Sequence, residues 1–316
     1  MATQTDRDDS AVGLPWPDLG RFLLIVVLFG GAFPAIKVGV QFLPPLLLAA
    51  ARYSTSAALL LGYAAATTSY WRPATHDDWA GVLAGGVLFI GGTGLTFVGV
   101  QYTTSGVAAI LFSLVPILTV LVGWFLLPTE RLSLRGVVGV VVAFAGVAIA
   151  VRPGAAILSD VSLVGNLLVL AAAVCVTLGT VLVRRARPPM PVVALTGWAM
   201  LLGAAVQLGF SIGLGEPLAA VRLTPPALLS IAYLSVFAGA LGIKVYFDLL
   251  SRFGALHVNL VTYLNPIVAV IVGWLLLGES LPTTALAGLA VVFVGFVLLE
   301  EEELAAEFAV YRGAAR

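Results

Sequence analysis

From about residue 20 to residue 300 the chain alternates long apolar segments with short polar connections, and no segment keeps the two-residue alternation of a half-buried strand. Apolar runs fall near 20–41, 45–66, 79–99, 105–126, 134–151, 162–183, 191–213, 226–250, 255–277 and 282–300. Each is close to the ~20 residues that cross a hydrocarbon core as helix. The connections carry turn chemistry. Leu43-Pro44-Pro45, Arg187-Pro188-Pro189 and Thr224-Pro225-Pro226 sit where helices must stop and restart. Trp71 and Trp79 flank the end of one connection and are expected at a membrane–water interface. The pattern predicts an all-α polytopic membrane protein with about ten transmembrane helices. Continuously apolar runs exclude a β-barrel.

Composition agrees. Of 316 residues, 60% are hydrophobic and 10% charged, and the mean hydropathy is +1.08. A soluble domain carries roughly 25% charged residues. The formal net charge is zero, so there is no nucleic-acid footprint. Cys175 is the single cysteine and lies in an apolar run, which excludes disulfides within the chain and cysteine metal sites and leaves it a packing role. Residues 1–18 are polar and acid-rich without the basic start of a signal peptide, and read as a disordered cytoplasmic tail; 301–316 read as a cytoplasmic C-terminal tail.

Orientation follows the distribution of Lys and Arg in the connections. With the N-terminus inside, Arg7, Arg21, Arg72, Arg131, Arg135, Arg184, Arg185, Arg187, Arg252, Arg312 and Arg316 are cytoplasmic, and only Arg152 and Arg222 are outside. Lys37, Arg52 and Lys244 remain within spans. A multi-pass plasma-membrane protein with both termini in the cytoplasm is expected.

The chain also repeats itself. Pro116–Leu127 (PILTVLVGWFLL) and Pro266–Leu277 (PIVAVIVGWLLL) share eight of twelve positions at an offset of 150 residues. Glu130 and Glu279 follow the two copies, and Gly92 and Phe97 match Gly242 and Phe247 at the same offset. The copies fall in the fourth and ninth spans, so the repeat unit holds five crossings. An odd number makes the second copy enter the membrane from the opposite side, the inverted-repeat design of many secondary transporters. The two halves are 19–152 and 162–300.

These motifs, with FGGAFPAIKVGV (Phe29–Val40), LPPLLLAAARY (Leu43–Tyr53), PTERLS and GESLP, resemble the drug/metabolite transporter superfamily, specifically its ten-helix EamA-type members. The resemblance runs from about residue 20 to 300. It implies ten helices, two inverted EamA repeats, and a central cavity lined mainly by helices 1, 3, 4, 6, 8 and 9, with helices 5 and 10 peripheral. One departure is Leu127-Pro128-Thr129-Glu130, where the second copy has Leu277-Gly278-Glu279.

A cation at bilayer depth is costly unless it snorkels, pairs or faces water. At ~1.5 Å per residue, Lys37 and Arg52 lie roughly 7 and 10 Å from the outer ends of their spans. Either they bind an anion or act at a gate whose partner is a carboxylate or helix C-terminus, or they snorkel to the headgroups. Lys244 either pairs with Asp248 one turn on or faces the cavity on a stripe with Phe237 and Ala240. Pro266 frees the Thr262 carbonyl, so Tyr263 and Asn265 form a polar patch that lines a cavity or satisfies local backbone. Pro116 has the same effect beside Ser113, and both prolines are candidate hinges. His257 is a structural histidine or a proton relay; His76 lies in a solvated connection.

No Asp or Glu falls mid-span, which disfavours proton-coupled export of hydrophobic cations and favours an anionic or zwitterionic metabolite. No Walker motif, HExxH or acid cluster is present, so no enzyme activity, cofactor or metal is expected. The reading is a secondary transporter, an exporter working by alternating access; the alternative is a lipid-translocating or scaffold membrane protein. Expected partners are a small-molecule substrate and the bilayer, with the chain a monomer or homodimer. The topology is testable with cysteines placed at Ser10 and Ala314. Both should resist an impermeant thiol reagent in intact cells, and labelling of either from outside would overturn the N-in, C-in arrangement.

Overall fold

The computed structural model describes residues 16–127, 133–151, 161–280 and 283–299, and within these all side chains except those at 16, 17, 161, 251 and 254–260. The segments 1–15 and 300–316, the departure at Pro128–Glu130 and the His257 side chain lie outside the described residues. Every regular element described is helical. Among the described residues, eight helices are long and apolar enough to cross a membrane, and two shorter apolar helices, Val261–Leu277 and Thr283–Leu299, follow them.

In chain order α1 runs Trp16–Gly30 and Ala32–Gly39, α2 Pro45–Thr67, α3 His76–Gly99, α4 Ser105–Phe112 and Val115–Leu126, and α5 Leu134–Val151. The second half continues with α6 Val161–Ala186, α7 Val192–Gly213, α8 Pro225–Leu250, α9 Val261–Leu277 and α10 Thr283–Leu299. The starts follow local chemistry. Pro45 and Pro225 open α2 and α8 where a missing N–H costs nothing. Thr75 and Asp78 form a capping box on α3. Gly278 adopts φ 64° and closes α9, a left-handed cap that a side chain would strain.

The backbone is helical in character from Gly242 to Leu277, where a break near 251–254 was expected. The two spans nevertheless pack side by side. A methyl on Gly242 would strike the Phe29 ring at 2.7 Å, and one on Gly30 would strike Val268 at 2.6 Å. A straight helix would separate Gly242 from Val268 by roughly 39 Å at 1.5 Å per residue. The chain therefore reverses between α8 and α9.

Neighbour relations exchange between the halves. The α3–α6 and α3–α7 contacts of one half correspond to α8–α1 and α8–α2 of the other, while α2–α7, α4–α9 and α5–α10 map onto themselves. Ser105, at the start of α4, lies beside Gly273 near the end of α9. The two helices are therefore antiparallel, and Trp124 and Trp274 fall at opposite ends of the bundle. Two ends can be distinguished: the terminal end, where α1 begins and α10 finishes, and the Lys37 end.

Both α3 and α8 contain a π-helical stretch, Ala84–Ile90 and Tyr233–Leu241, close to the 150-residue offset. A π turn leaves backbone groups poorly matched to the flanking α-helix. In each case the partner half supplies a bond. Gln207 of α7 donates to the Ile90 carbonyl at 2.7 Å, and Ser56 of α2 donates to the Ser235 carbonyl at 2.9 Å.

The α5–α10 pair meets backbone to backbone. Added methyls on Gly139 and Gly295 would each lie 2.6 Å from the other's carbonyl, and the same geometry joins Gly146 to Gly288 at 2.5–2.8 Å. Small residues at such crossings let helices associate without hydrophobic drive. Gly288→Ala should cost about 1–3 kcal/mol of stability by overpacking. Gly209→Ala, where a methyl meets nothing within 4 Å, should be neutral or gain up to ~1 kcal/mol from propensity. Thermal unfolding of both in one detergent is the measurement, and equal midpoints would refute the close crossing.

Candidate functional site

Lys37 sits in the last turn of α1, whose second segment exists because Pro34 cannot complete the helical ladder across Gly30–Gly31. The break is held open by Tyr233 of α8, whose hydroxyl lies 3.0 Å from both the Val27 and Leu28 carbonyls. A methyl on Gly31 would meet that hydroxyl, so only glycine fits. Beyond the break, Lys37 Nζ donates to the Val100 carbonyl at 2.5 Å and the Thr103 carbonyl at 2.6 Å. These are acceptors left over where α3 ends, and a helix C-terminus attracts a cation.

Glu279 follows the Gly278 cap and accepts from the Ser105 backbone N–H at 3.0 Å and from its hydroxyl at 2.5 Å. It also lies close enough to act electrostatically on Lys37. Glu216 does the same service for α2, accepting from the Leu46 and Leu47 N–H groups at 3.0 Å each while Ser211 donates to it at 2.7 Å. The Arg222 N–H reaches the Phe42 carbonyl at 2.9 Å. At the Lys37 end, Glu216 and Glu279 of the second half thus sit on helix starts of the first, while Lys37 sits on the end of α3 within its own half.

Arg52 lies on α2 one turn before Ser56. Its guanidinium carbon is 4.0 Å from the Tyr53 ring centroid and 5.9 Å from that of Phe97. Its Nε is buried without a hydrogen-bond partner, and among the described residues no carboxylate forms an ion pair with it. Phe97 precedes Val100 by three residues, so Arg52 and Lys37 both close on the last turns of α3. Beneath Arg52, the Tyr53 and Thr93 hydroxyls share a hydrogen bond of 2.9 Å, and Thr93 donates to the Ile90 carbonyl that Gln207 also reaches.

The other sequence-selected residues lie elsewhere. Lys244 is exposed, with Nζ 4.5 Å from the Tyr63 ring centroid, on the wall of a hollow with Ala240; Phe237 is not on that wall. Asp248 pairs with Arg252 at 3.1 Å and reaches Arg21 at 3.7 Å, joining α8 to the start of α1. Tyr263 faces α10, its ring 4.2 Å from Phe296 and 6.1 Å from Phe293. Asn265 is buried, with Oδ1 lacking a protein partner. The two prolines differ: α4 is interrupted at Ser113–Leu114 just before Pro116, whereas Pro266 lies inside uninterrupted helix. Lys37 and Arg52 thus both lie against the last turns of α3, while Lys244 and the Tyr263–Asn265 pair have other surroundings.

Sequence reasoning passed over Glu216, Gln207, Tyr233, Ser56 and Tyr63. A glutamate after Gly215, which adopts φ 69°, was a readable sign of a turn aimed at a helix start. No sequence signal marks Tyr233 or Gln207 as partners of carbonyls on other helices.

Both halves of the chain match the model of the EamA-like transporter family, over residues 19–152 and 163–300. The transporter YvbV of Bacillus subtilis, itself uncharacterized, is 28% identical over 89% of this chain and 90% of its own length. The uncharacterized inner membrane transporter YedA of Escherichia coli K12 is 28% identical over 90% of each chain. A probable amino-acid metabolite efflux pump of Salmonella typhimurium is 27% identical over 87% of this chain and 92% of its own. A solved crystal structure superposes with a TM-score of 0.64 at 21% identity, over 89% of this chain and 96% of that one, and so shares the fold. The chain belongs to the EamA-like transporter family and is a multi-pass membrane transporter.

Replacing Lys37 with Met removes both charge-assisted bonds to α3 and should cost about 1.5–3 kcal/mol. It should also raise the labelling rate of a cysteine at Gln101 in the adjoining turn. Unchanged stability and labelling would show that the bonds to Val100 and Thr103 do not hold this end.

Proposed function

We propose that this protein is a secondary transporter that exports a small anionic or zwitterionic metabolite by alternating access, with both termini in the cytoplasm of a plasma-membrane topology. The observation that carries the substrate's charge is Arg52. A half-buried guanidinium at bilayer depth needs an anion, and aromatic rings offset only part of its desolvation. Lys37 occupies two carbonyls and Lys244 sits over a ring. Arg52 keeps a buried Nε unused. A carboxylate or phosphate approaching along α3 would complete it with a charge-assisted bond.

Two further features support the cycle. Lys37 and Glu279 close one end through bonds to helix termini that water or substrate can replace. The π-helical stretches of α3 and α8 are each joined to the other half by a side-chain hydrogen bond, and such stretches concentrate at functional positions. The relative named as a probable amino-acid metabolite efflux pump supports both the zwitterionic class and the outward direction.

Flux into proteoliposomes is the test, using labelled amino acids, organic acids and sugar phosphates against hydrophobic cations. At least one anion or zwitterion should show saturable flux. Arg52→Gln should weaken its apparent affinity by roughly ten- to a hundredfold at matched protein level. Arg52→Lys should recover only part, because a compact ammonium lacks the planar fork. Equal affinity in parent and Arg52→Gln, or flux of cations alone, would refute the anionic reading.

A further inference from the structure

We infer that the hollow between α2, α7 and α8 is a binding site for an anionic membrane lipid in the leaflet on the terminal side. The space measures about 260 Å³ and is walled by Leu59, Tyr63, Val193, Val236 and Ala240, with Lys244 at its rim. Its wall is apolar almost throughout. Leu59, Tyr63 and Val236 remain 44%, 42% and 41% exposed, which in a chain that spans a membrane presents apolar surface to acyl chains. The volume lies near the lower end of small-molecule sites and takes a segment of one acyl chain rather than a whole lipid.

Lys244 supplies the head-group chemistry. It stands six residues before Leu250, the end of α8, roughly 9 Å along the axis at 1.5 Å per residue. A lysine at that depth extends its ammonium toward the interface while its methylenes cover apolar surface. The ring of Tyr63 sits 4.5 Å beneath Nζ and fixes it over the mouth of the hollow. A lone cation above an apolar slot between helices matches a phosphate above an acyl chain, and basic pockets between spans recognise anionic head groups in this way. A neutral lipid would leave the ammonium unpartnered, and a soluble polar anion would leave the walls uncovered.

The test is native mass spectrometry of the full chain released from bilayers of equal parts phosphatidylglycerol and phosphatidylcholine. The parent should retain phosphatidylglycerol at least tenfold over phosphatidylcholine. Lys244→Gln should abolish the preference, and Ala240→Phe, which fills the hollow and leaves the lysine, should abolish retention of either lipid. Ala240→Phe retains the test if Lys244→Gln fails to fold, and the reverse. Retention of phosphatidylglycerol unchanged in both variants would overturn the site. So would decanoate binding that needs Lys244 in a parent that retains neither lipid, since the hollow would then belong to a soluble carboxylate. None of these measurements requires transport, so their failure leaves the transporter reading intact and the converse also holds.

Discussion

In hydrocarbon a backbone N–H or C=O without a partner costs several kcal/mol, and this fold interrupts its helices repeatedly. Several of these interruptions are met by a side chain from a distant part of the chain. Glu216 takes the first N–H groups of α2 and Glu279 those of α4. Lys37 takes the last carbonyls around α3, and Tyr233 those beside the break in α1. At the terminal end Asp78 is fully buried and accepts from the Met190, Ala74 and Thr75 N–H groups while bonded to the Tyr70 hydroxyl. Hydrophobic burial contributes little between helices already surrounded by apolar tails. Polar bonds at helix ends and breaks, together with close small-residue packing such as that of α5 on α10, therefore choose which helices stand together.

Most of these bonds cross between the two halves. Glu216, Gln207 and Tyr233 belong to the second half and act on helices of the first, while Ser56 and Asp78 act in the other direction. The two halves also share one packed apolar core, so these hydrogen bonds, each worth about 1 kcal/mol net, add directional links to an apolar interface. The crossing of α5 and α10 rests instead on close backbone packing at Gly139, Gly146, Gly288 and Gly295.

Helix number, the 150-residue repeat and its inversion were legible because they depend on periodicity and connection length alone. Gly30, Gly31, Gly242 and Gly288 were legible only as small residues; the groups that demand them, Val268, Tyr233, Phe29 and Gly146, come from spans far away in sequence. The same distance hid the partners of Lys37. Its charge and depth restricted it to a site, a gate or snorkelling, and the choice rests on where α3 ends in space. Tyr263 shows the limit in the other direction. Its place beside Asn265 and Pro266 suggested a polar patch, yet a tyrosine is mostly ring, and the ring packs between Phe293 and Phe296.

The backbone is nearly twofold and the charges are not. At the offset of 150 Lys244 corresponds to Gly94; α2 and α7 follow Pro44 and Pro191, an offset of 147, which pairs Arg52 with Ala199, so neither of these two cations has a counterpart. At the same offset Lys37, in the last turn of α1, corresponds to Arg184 in the last turn of α6. A true twofold would make the states open to either side equal in energy. Here Arg52 and Lys244 have no such counterparts, so two conformations related by the repeat would place these charges in different surroundings and could not be equal in energy.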